Sequence, residues 1–571
     1  MKKLTALLLS LMIILSALTG CGSSTQPPAA EVPGESASTE PEKEKGPGTA
    51  VISSDNTPAL VDPGSFSAGG QQNWLCEELT TLTVSTYDAV NSTYLPPSND
   101  LWFWQQMEAY TNVHIEWEVS PIAGYDDVVN TKLSAGVDLA DIVMSNNTRA
   151  TKNAGDNGVF VDLAPYWDTC FTNTQAYFDS MGADLVSVLT NPNGAIYGIP
   201  NTTNPTEGHI TFCYNTAWLH ELGEDVPTTL EEFTDLMYKF QSAGDLNHNG
   251  LSDEVPLTSS SVDVLTSVLG NAFGLEQYEG WDAFNADENG VVYPEYTTDN
   301  MRAYLQYLNQ LFTDGVLDQE ICYMGMDTLA EKIANDRVGC FVFYSGFAIG
   351  YGVLTPAGIE DPLSECFTLG LPLASEYNNH EGYFVRRTVA YGNSGASISS
   401  ECEHVELACK WLDVLFADPY IMWIRAYGKE GETYEIDENG EVHPILDEDG
   451  NLTDVSQYGC GQLSLPFIQT TEELLLDKLP YDWYLEQYEQ IRNCKWISAS
   501  VPKVSIFSEE ESELRDMCNS EVLTYWMESR DRFITGISDI NTEWEHYVSV
   551  MDQMGLGTLT QVWQSVYDRL H

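Results

Sequence analysis

The stretch "GDLNHNGLSDEVPLT", Gly244 to Thr258, spaces Asp245, Asn247, Asn249, Leu251 and Asp253 two residues apart around Gly250. Oxygen donors at alternate positions of a short loop wrap a hard cation. A calcium loop supplies them at positions one, three, five, seven (a backbone carbonyl) and nine, with Gly at six for the sharp turn and a bidentate Glu at twelve. Position twelve here is Pro256, so the loop departs from a helix-loop-helix sensor, and Glu254, at position ten, is the nearest carboxylate that can stand in. Asn, Asp and Gly also favour a plain solvated turn, but the five matched positions together with the Gly favour a bound ion. Other chemistry is not signalled. GxSxG, HExxH and GxxxxGK[ST] are absent, which removes the serine-hydrolase, zinc-protease and P-loop readings. The two carboxylates of a secreted glycoside hydrolase can always be nominated among 86 Asp and Glu, so that alternative is neither supported nor excluded.

The elements that carry such a loop belong to a chain organised for the outside of a cell. "MKKLTALLLSLMIILSALTGC" has a basic start, an apolar core from Leu4 to Leu18 that is short for a membrane span, and a small-residue cleavage site ending in Cys21. It resembles a bacterial lipoprotein signal, in which Cys21 becomes the lipidated first residue and residues 1–20 are removed. Residues 21–76 are rich in Ser, Pro, Gly and charge and read as a disordered tether. The body, 77–571, is too long for one core and suits two domains. Lys and Arg total 24 against the 86 acidic residues, a formal net charge of -62, which argues against nucleic acid or another polyanion as partner. Twelve cysteines include no CxxC pair. Cys213, Cys340 and Cys366 stand among apolar residues as small core fillers, and secretion leaves disulfides open.

Along the body, strand and helix patterns alternate. "LTTLTVSTYD" reads strand, "LWFWQQMEAYTN" helix, "VHIEWEVS" strand, "YDDVVNTKLSAG" helix and "LADIVMSN" a buried strand, a repeated βαβ pattern that predicts a parallel sheet with helices on both faces. "HITFCYNTAWLHELG" is a strand running into a helix. Thr228 and Glu231 then fit a capping box ahead of a stripe of Leu230, Phe233, Met237 and Phe240, and that helix ends where the loop begins. A second α/β unit follows, with "VGCFVFYSGFAIG" as strand and turn and "ELACKWLDVLFADPYIMWIRAYG" as a helix pair.

The cysteine signal and tether, "ADIVMSNN", "YGIP", "YNTAWLHELGEDVPTTLEEF", the loop, "YGKEGETYEIDENGEVHP" and the ending "QMGLGTLTQVWQSVYDRL" together resemble the extracellular solute-binding lipoproteins of carbohydrate ABC importers. The likeness extends to the large oligosaccharide-binding and alginate-binding branch, whose second lobe carries a similar calcium loop. It implies an α/β, two-lobe periplasmic-binding-protein-like fold (type II), each lobe a sheet flanked by helices with a hinge between. Lobe 1 is expected at about 77–205 and 389–434, and lobe 2 at about 206–388 and part of 435–571. It further implies a structural Ca2+ held by Asp245, Asn247, Asn249, the carbonyl of Leu251, Asp253 and Glu254. The protein is then no enzyme but a monomer, lipid-anchored on the extracellular face of the membrane, which captures a sugar or oligosaccharide and delivers it to ABC transporter permease subunits.

Sugars are held by flat aromatic faces and by planar amide, carboxylate or guanidinium groups. With 14 Trp and 30 Tyr, most aromatics must be core, so only those at a cleft qualify. Strand C-terminal ends are where ligands bind in open α/β sheets. That selects Trp102 and Trp104 after the first strand, Asn146 and Asn147 after "DIVM", and Tyr344 and Ser345 after "CFVF". Asn201, Asn204 and His209 lie in the expected crossing between lobes, and Trp423, Arg425 and Tyr427 just before "GKEGETY". A peptide-binding importer component is the remaining alternative, with Arg386, Arg387 or Arg425 capturing ligand termini.

Overall fold

The computed structural model describes residues 50–52, 58–60, 73–88, 96–121, 124–145, 154–180, 186, 189–203, 210–277, 283–349, 365–386, 390–438, 442–446, 453–460, 468–469, 481–498 and 507–570. Cys21 and the segment before it lie outside this set. Within the stretch expected to be a disordered tether, Ala50–Ile52 pairs antiparallel with Pro58–Leu60.

Among the described residues, ten strands form the two larger sheets. β1 (Thr80–Asp88), β2 (Val113–Pro121), β3 (Ile142–Ser145) and β4 (Ile199–Thr203) precede β5 (Ile210–Asn215), β6 (Val255–Ser259), β7 (Val338–Tyr344) and β8 (Phe367–Leu369). β9 (Ala390–Ile398) and β10 (Ile468–Gln469) follow. The first sheet has six strands in the order β10-β4-β9-β3-β1-β2, and the second has four in the order β8-β5-β7-β6. The expected parallel βαβ run is present as β3-β1-β2. The sheets as wholes are mixed, because β9 enters antiparallel to both β3 and β4, and β5 antiparallel to β7. β9 comes from the far side of the chain, so no local crossover fixes its direction.

Each sheet is buried in its own core. In β1 the alternation works as pattern predicts: Leu82 and Val84 are wholly buried while Thr83 and Ser85 are half-buried. One face of the first sheet packs on helices Trp102–Thr111, Val405–Ala417 and Pro419–Tyr427, and the other on helix Tyr125–Ala135. β5 and β7, in the second sheet, are buried at every residue, as continuous apolar runs require when both faces are covered. Here Gly339 allows close approach: a Cβ would stand 2.6 Å from the Phe240 ring and 2.9 Å from that of Trp218. The core also takes in Phe384 and the helices Asp482–Arg492, Glu509–Ile534, Ile540–Gln553 and Leu556–Leu570. The capping box falls one residue later than expected. Thr229 is the N-cap and Glu232 its partner, and Thr228 adds its own amide and hydroxyl to the Glu232 carboxylate at 2.9 and 3.0 Å. Cys213, Cys340 and Cys366 are buried as core fillers, and all eleven cysteines among the described residues are free thiols.

A buried ion pair fastens the second sheet to its helices. Lys332 Nζ donates to Asp318 Oδ1 and Oδ2 at 2.9 and 2.7 Å, with side chains 5% and 3% exposed, and Thr258 Oγ1 in β6 donates to Asp318 Oδ2 at 2.7 Å. Removing one partner leaves the other charge buried and uncompensated. Lys332→Ala is therefore expected to lower the unfolding free energy by about 3–5 kcal/mol in urea titration, whereas the double variant Asp318→Leu with Lys332→Met recovers most of that loss.

Candidate functional site

Strand register locates the place where a ligand can sit. β4 runs to Thr203, which faces Ala390 at the start of β9 on one side and Gln469 at the end of β10 on the other. Beyond each of these three strand ends the chain continues into the second core: to Ile210 after Thr203, back to Phe384–Arg386 before Ala390, and on to Tyr481 after Gln469. Three neighbouring strands thus hand the chain across at one edge. On the first sheet this is the C-terminal edge of β3, since Ser145 pairs with Gly395 of β9, and of β1, which runs parallel to β3. On the second sheet Tyr344, at the end of β7, pairs with Ile210, so the crossing meets the C-terminal edge of β7 and of its parallel neighbour β6. Both C-terminal edges meet the crossing segments, the position in which open α/β sheets take ligands.

The expected contacts divide at this edge. Trp102, at the start of its helix, is half-buried, edge-on to the ring of Tyr458 at 6.4 Å, and Tyr458 donates its hydroxyl to Glu432 at 2.6 Å. Ser345 follows β7 but is itself interior, 1% exposed, with its hydroxyl 2.7 Å from that of the likewise buried Tyr484. Tyr484, on helix Asp482–Arg492, was not expected from the sequence. Asn201 lies in β4, while Asn146, Asn147, Asn204 and His209 lie outside the described residues. The remaining candidates are interior. Trp104 is 3% exposed and edge-on to Phe103 and Trp117 at 4.9 and 4.7 Å. Trp423, 2% exposed, stacks on Tyr427 at 3.9 Å and donates its indole N–H to the Tyr434 hydroxyl at 3.2 Å. Arg425, Tyr427 and Tyr344 are also buried. In this conformation none of these rings offers a face to a sugar. The signal was available in "PYIMWIRAY", which is apolar nearly all round, as a helix enclosed by core must be.

A second polar cluster lies in the other core. Glu295, 2% exposed, accepts the Glu276 amide and the Asn285 side chain, both at 2.7 Å. Burial, and then the Glu295 charge, push the Glu276 carboxyl up to about 7. Scattered single acids 19 residues apart carry no sequence pattern that would have paired them.

The loop after helix Leu230–Ala243 folds on itself through its own donors. Gly244 and Gly250 take positive φ, +78° and +84°. Gly250 N donates to Asp245 Oδ2 at 3.0 Å, Asn249 N to Asn247 Oδ1 at 3.1 Å, Leu251 N to Asn249 Oδ1 at 2.7 Å and Leu246 N to Glu254 Oε1 at 2.9 Å. Asp253 is tied to Arg337, whose Nε lies 2.9 Å from Oδ2. The other oxygen of Asp245 is buried with no hydrogen-bond partner, an arrangement that costs free energy unless a cation or water meets it. The donor set and this orphaned oxygen fit a hard cation, although Asp253 and Glu254 are turned to protein partners. Among the described residues no group of three or more His, Cys, Asp or Glu is gathered as a metal site; half of this loop's donors are Asn side chains and a backbone carbonyl.

The model for bacterial extracellular solute-binding proteins matches residues 97–422. The fructooligosaccharide ABC transporter substrate-binding protein FusA of Streptococcus pneumoniae serotype 4 (strain ATCC BAA-334 / TIGR4) is 21% identical over 503 residues, 82% of this chain and 87% of that one. Lipoprotein LipO of Bacillus subtilis (strain 168) is 22% identical over 450 residues, 76% and 82% of the two chains. Among solved structures, an EF-hand mutant of S. pneumoniae FusA in complex with fructo-nystose superposes with a TM-score of 0.64 at 20% identity, covering 86% of this chain and 99% of that one. Alginate-binding protein AlgQ2 without calcium ion superposes with a TM-score of 0.63 at 18% identity, covering 87% and 100%. These likenesses establish the fold.

Two outcomes follow from the geometry. Trp423→Ala is expected to lose about 3–5 kcal/mol of stability in urea titration, as truncation of a core Trp does, and Trp102→Ala much less. A Trp423 variant with unchanged stability and lost sugar binding would move that ring into the cleft. For Glu276 the folded value, about 7, lies above the ordinary 4.5, so the native state holds the proton more tightly. The stability it contributes is full at acid pH and is lost as pH rises from about 4.5 towards 7. Glu276→Gln should flatten the melting temperature across that window and raise it at pH 7.

Proposed function

Because the chain belongs to the bacterial extracellular solute-binding protein family, we propose that it captures an oligosaccharide at the crossing edge between two lobes and delivers it to the permease of an ABC transporter. The protein is a solute-binding protein and not an enzyme, which sets the glycoside hydrolase alternative aside. The observation that carries the reading is the convergence of the C-terminal edges of both sheets on three adjacent chain crossings. That topology permits hinge closure: two bodies with separate cores can rotate about short connections while each keeps its packing. Binding favours the closed state only through contacts made to both lobes.

The first lobe comprises about 77–205 with the return segment from 389, and Tyr434, Val442 and Cys460 pack in its core. The second comprises about 206–388 and most of the chain after 480. An oligosaccharide is preferred to a peptide because FusA, similar over most of both chains, is a fructooligosaccharide-binding protein. Trp102 and the amides Asn146, Asn147, Asn201 and Asn204 are the contacts proposed from the strand edges, whereas Ser345, 1% exposed and bonded to Tyr484, is reached only if the second edge opens. Trp104, Trp423, Arg425, Tyr427 and Tyr344 act from behind as packing, and His209 is proposed as a further contact. Lipidation at Cys21 holds the body at the extracellular face of the membrane, a reading supported by the signal-like start and by the likeness to lipoprotein LipO. Among the described residues no helix is long and apolar enough to cross a membrane.

The loop Asp245–Glu254 holds a structural calcium ion. The orphaned Asp245 oxygen supports it, as do the FusA EF-hand mutant and the AlgQ2 structure without calcium ion, which associate such a site with similar folds. Its ligands are Asp245, Asn247, Asn249, the Leu251 carbonyl, Asp253 and Glu254. A cation there neutralises clustered carboxylates and stiffens the turn after helix Leu230–Ala243. A single calorimetric series tests the assignment, titrating calcium-loaded and chelated protein with panels of neutral oligosaccharides, acidic oligosaccharides and peptides. At least one oligosaccharide should bind, with affinity little changed by chelation. The melting temperature should fall on chelation, since a ligand of the native state adds RT ln(1 + [L]/Kd). Binding of peptides alone would overturn the sugar reading, and loss of sugar binding without any change in melting would overturn a structural role for the ion.

A further inference from the structure

We propose that Arg337 is a positioning residue that sets the cation affinity of the loop by holding its ninth-position carboxylate, Asp253, as an internal counter-charge; the inference rests on the calcium reading above. Arg337 Nε lies 2.9 Å from Asp253 Oδ2 and donates to the Asp253 carbonyl at 3.2 Å. The arginine does not depend on that pair for its place. Its amide donates to the Lys332 carbonyl at 3.0 Å, and its own carbonyl accepts from Val255 N at 2.7 Å, which pins it where β7 and β6 begin side by side. Asp253 is likewise held from elsewhere, since its Oδ1 accepts from Asn249 Nδ2 at 3.0 Å.

Taking the guanidinium away therefore leaves the loop shaped and removes one positive charge beside a site for a divalent cation. Both side chains are 30% exposed, so the charge is only partly screened by solvent. Two cations then compete for one carboxylate. At the intermediate dielectric of such a site the repulsion between them is worth on the order of tenfold in ion affinity. A residue that merely braced the loop would act in the opposite sense, and its loss would weaken ion binding.

The test is calcium titration calorimetry on the chelator-stripped full chain, with melting temperatures taken with and without calcium, for wild type, Arg337→Gln and Arg337→Lys. Arg337→Gln should bind calcium about tenfold more tightly and, free of metal, melt at a lower temperature than wild type because Asp253 has lost its counter-charge. Arg337→Lys, which keeps the charge, should stay near the wild-type affinity. Should Arg337→Gln fail to fold, Arg337→Met retains the aliphatic stem and must show the same tightening. Equal or weaker calcium binding by the neutral variants overturns the proposal and leaves the calcium site standing. No calcium binding by wild type overturns both.

Discussion

The pairing of β4 with β9 and β10 is the constraint on which the rest of the molecule depends. Thr203, Ala390 and Gln469 lie side by side at one sheet edge, so the chain's three passages between cores leave from a single line. Each core can then close on itself. The first gathers helices from before and after the crossing, and the second takes in segments as far apart as Phe212 and Trp563. Neither is a contiguous stretch of sequence. What the crossings conserve is direction: they place the C-terminal strand edges of both sheets at the same boundary.

Much of this architecture could be read from residue patterns. Alternation in "LTTLTVSTYD", the unbroken apolar run of "VGCFVFY" and the stripe of Phe233, Met237 and Phe240 became β1, β7 and a helix, because local periodicity decides which face is buried. The direction of β9 could not be read. An antiparallel strand returning from more than 180 positions beyond Thr203 is set by tertiary pairing, and its own sequence, Ala390–Ile398, is neutral as to direction. The candidate site was legible as a place more than as residues. Strand ends point to the edge where the chain crosses, but Trp104 and Trp423 turned inward because an aromatic ring beside a core gains more by burial than by exposure. Ser345 with Tyr484 shows the converse: a hydroxyl pair 139 positions apart can be seen only once the fold joins them.

The charge balance gives each cation unusual weight. With 24 Lys and Arg against 86 acids, carboxylates far outnumber cations, and some of the cations lie in the interior. Lys332 sits on Asp318 in the second core, and Arg530, 7% exposed, lies between Asp263 and Asp531. Surface pairs of the same kind contribute little, whereas breaking a buried pair is costly because it leaves one charge without its partner.

The same scarcity bears on the loop. Asp245, Asp253 and Glu254 lie within ten positions of one another in a chain that repels further negative charge, and backbone amides alone meet only part of that cluster. Arg337 answers one carboxylate, and the buried Asp245 oxygen that accepts no hydrogen bond is left for a cation or water to meet. Outside a cell, calcium modules work with dissociation constants of about 10⁻⁴–10⁻³ M, so the proposed site would need no high affinity to fill. An arginine just before β7 gives Asp253 a partner within the protein itself. The loop thereby ties one of its carboxylates to the residue from which the strand ending at Tyr344 sets out.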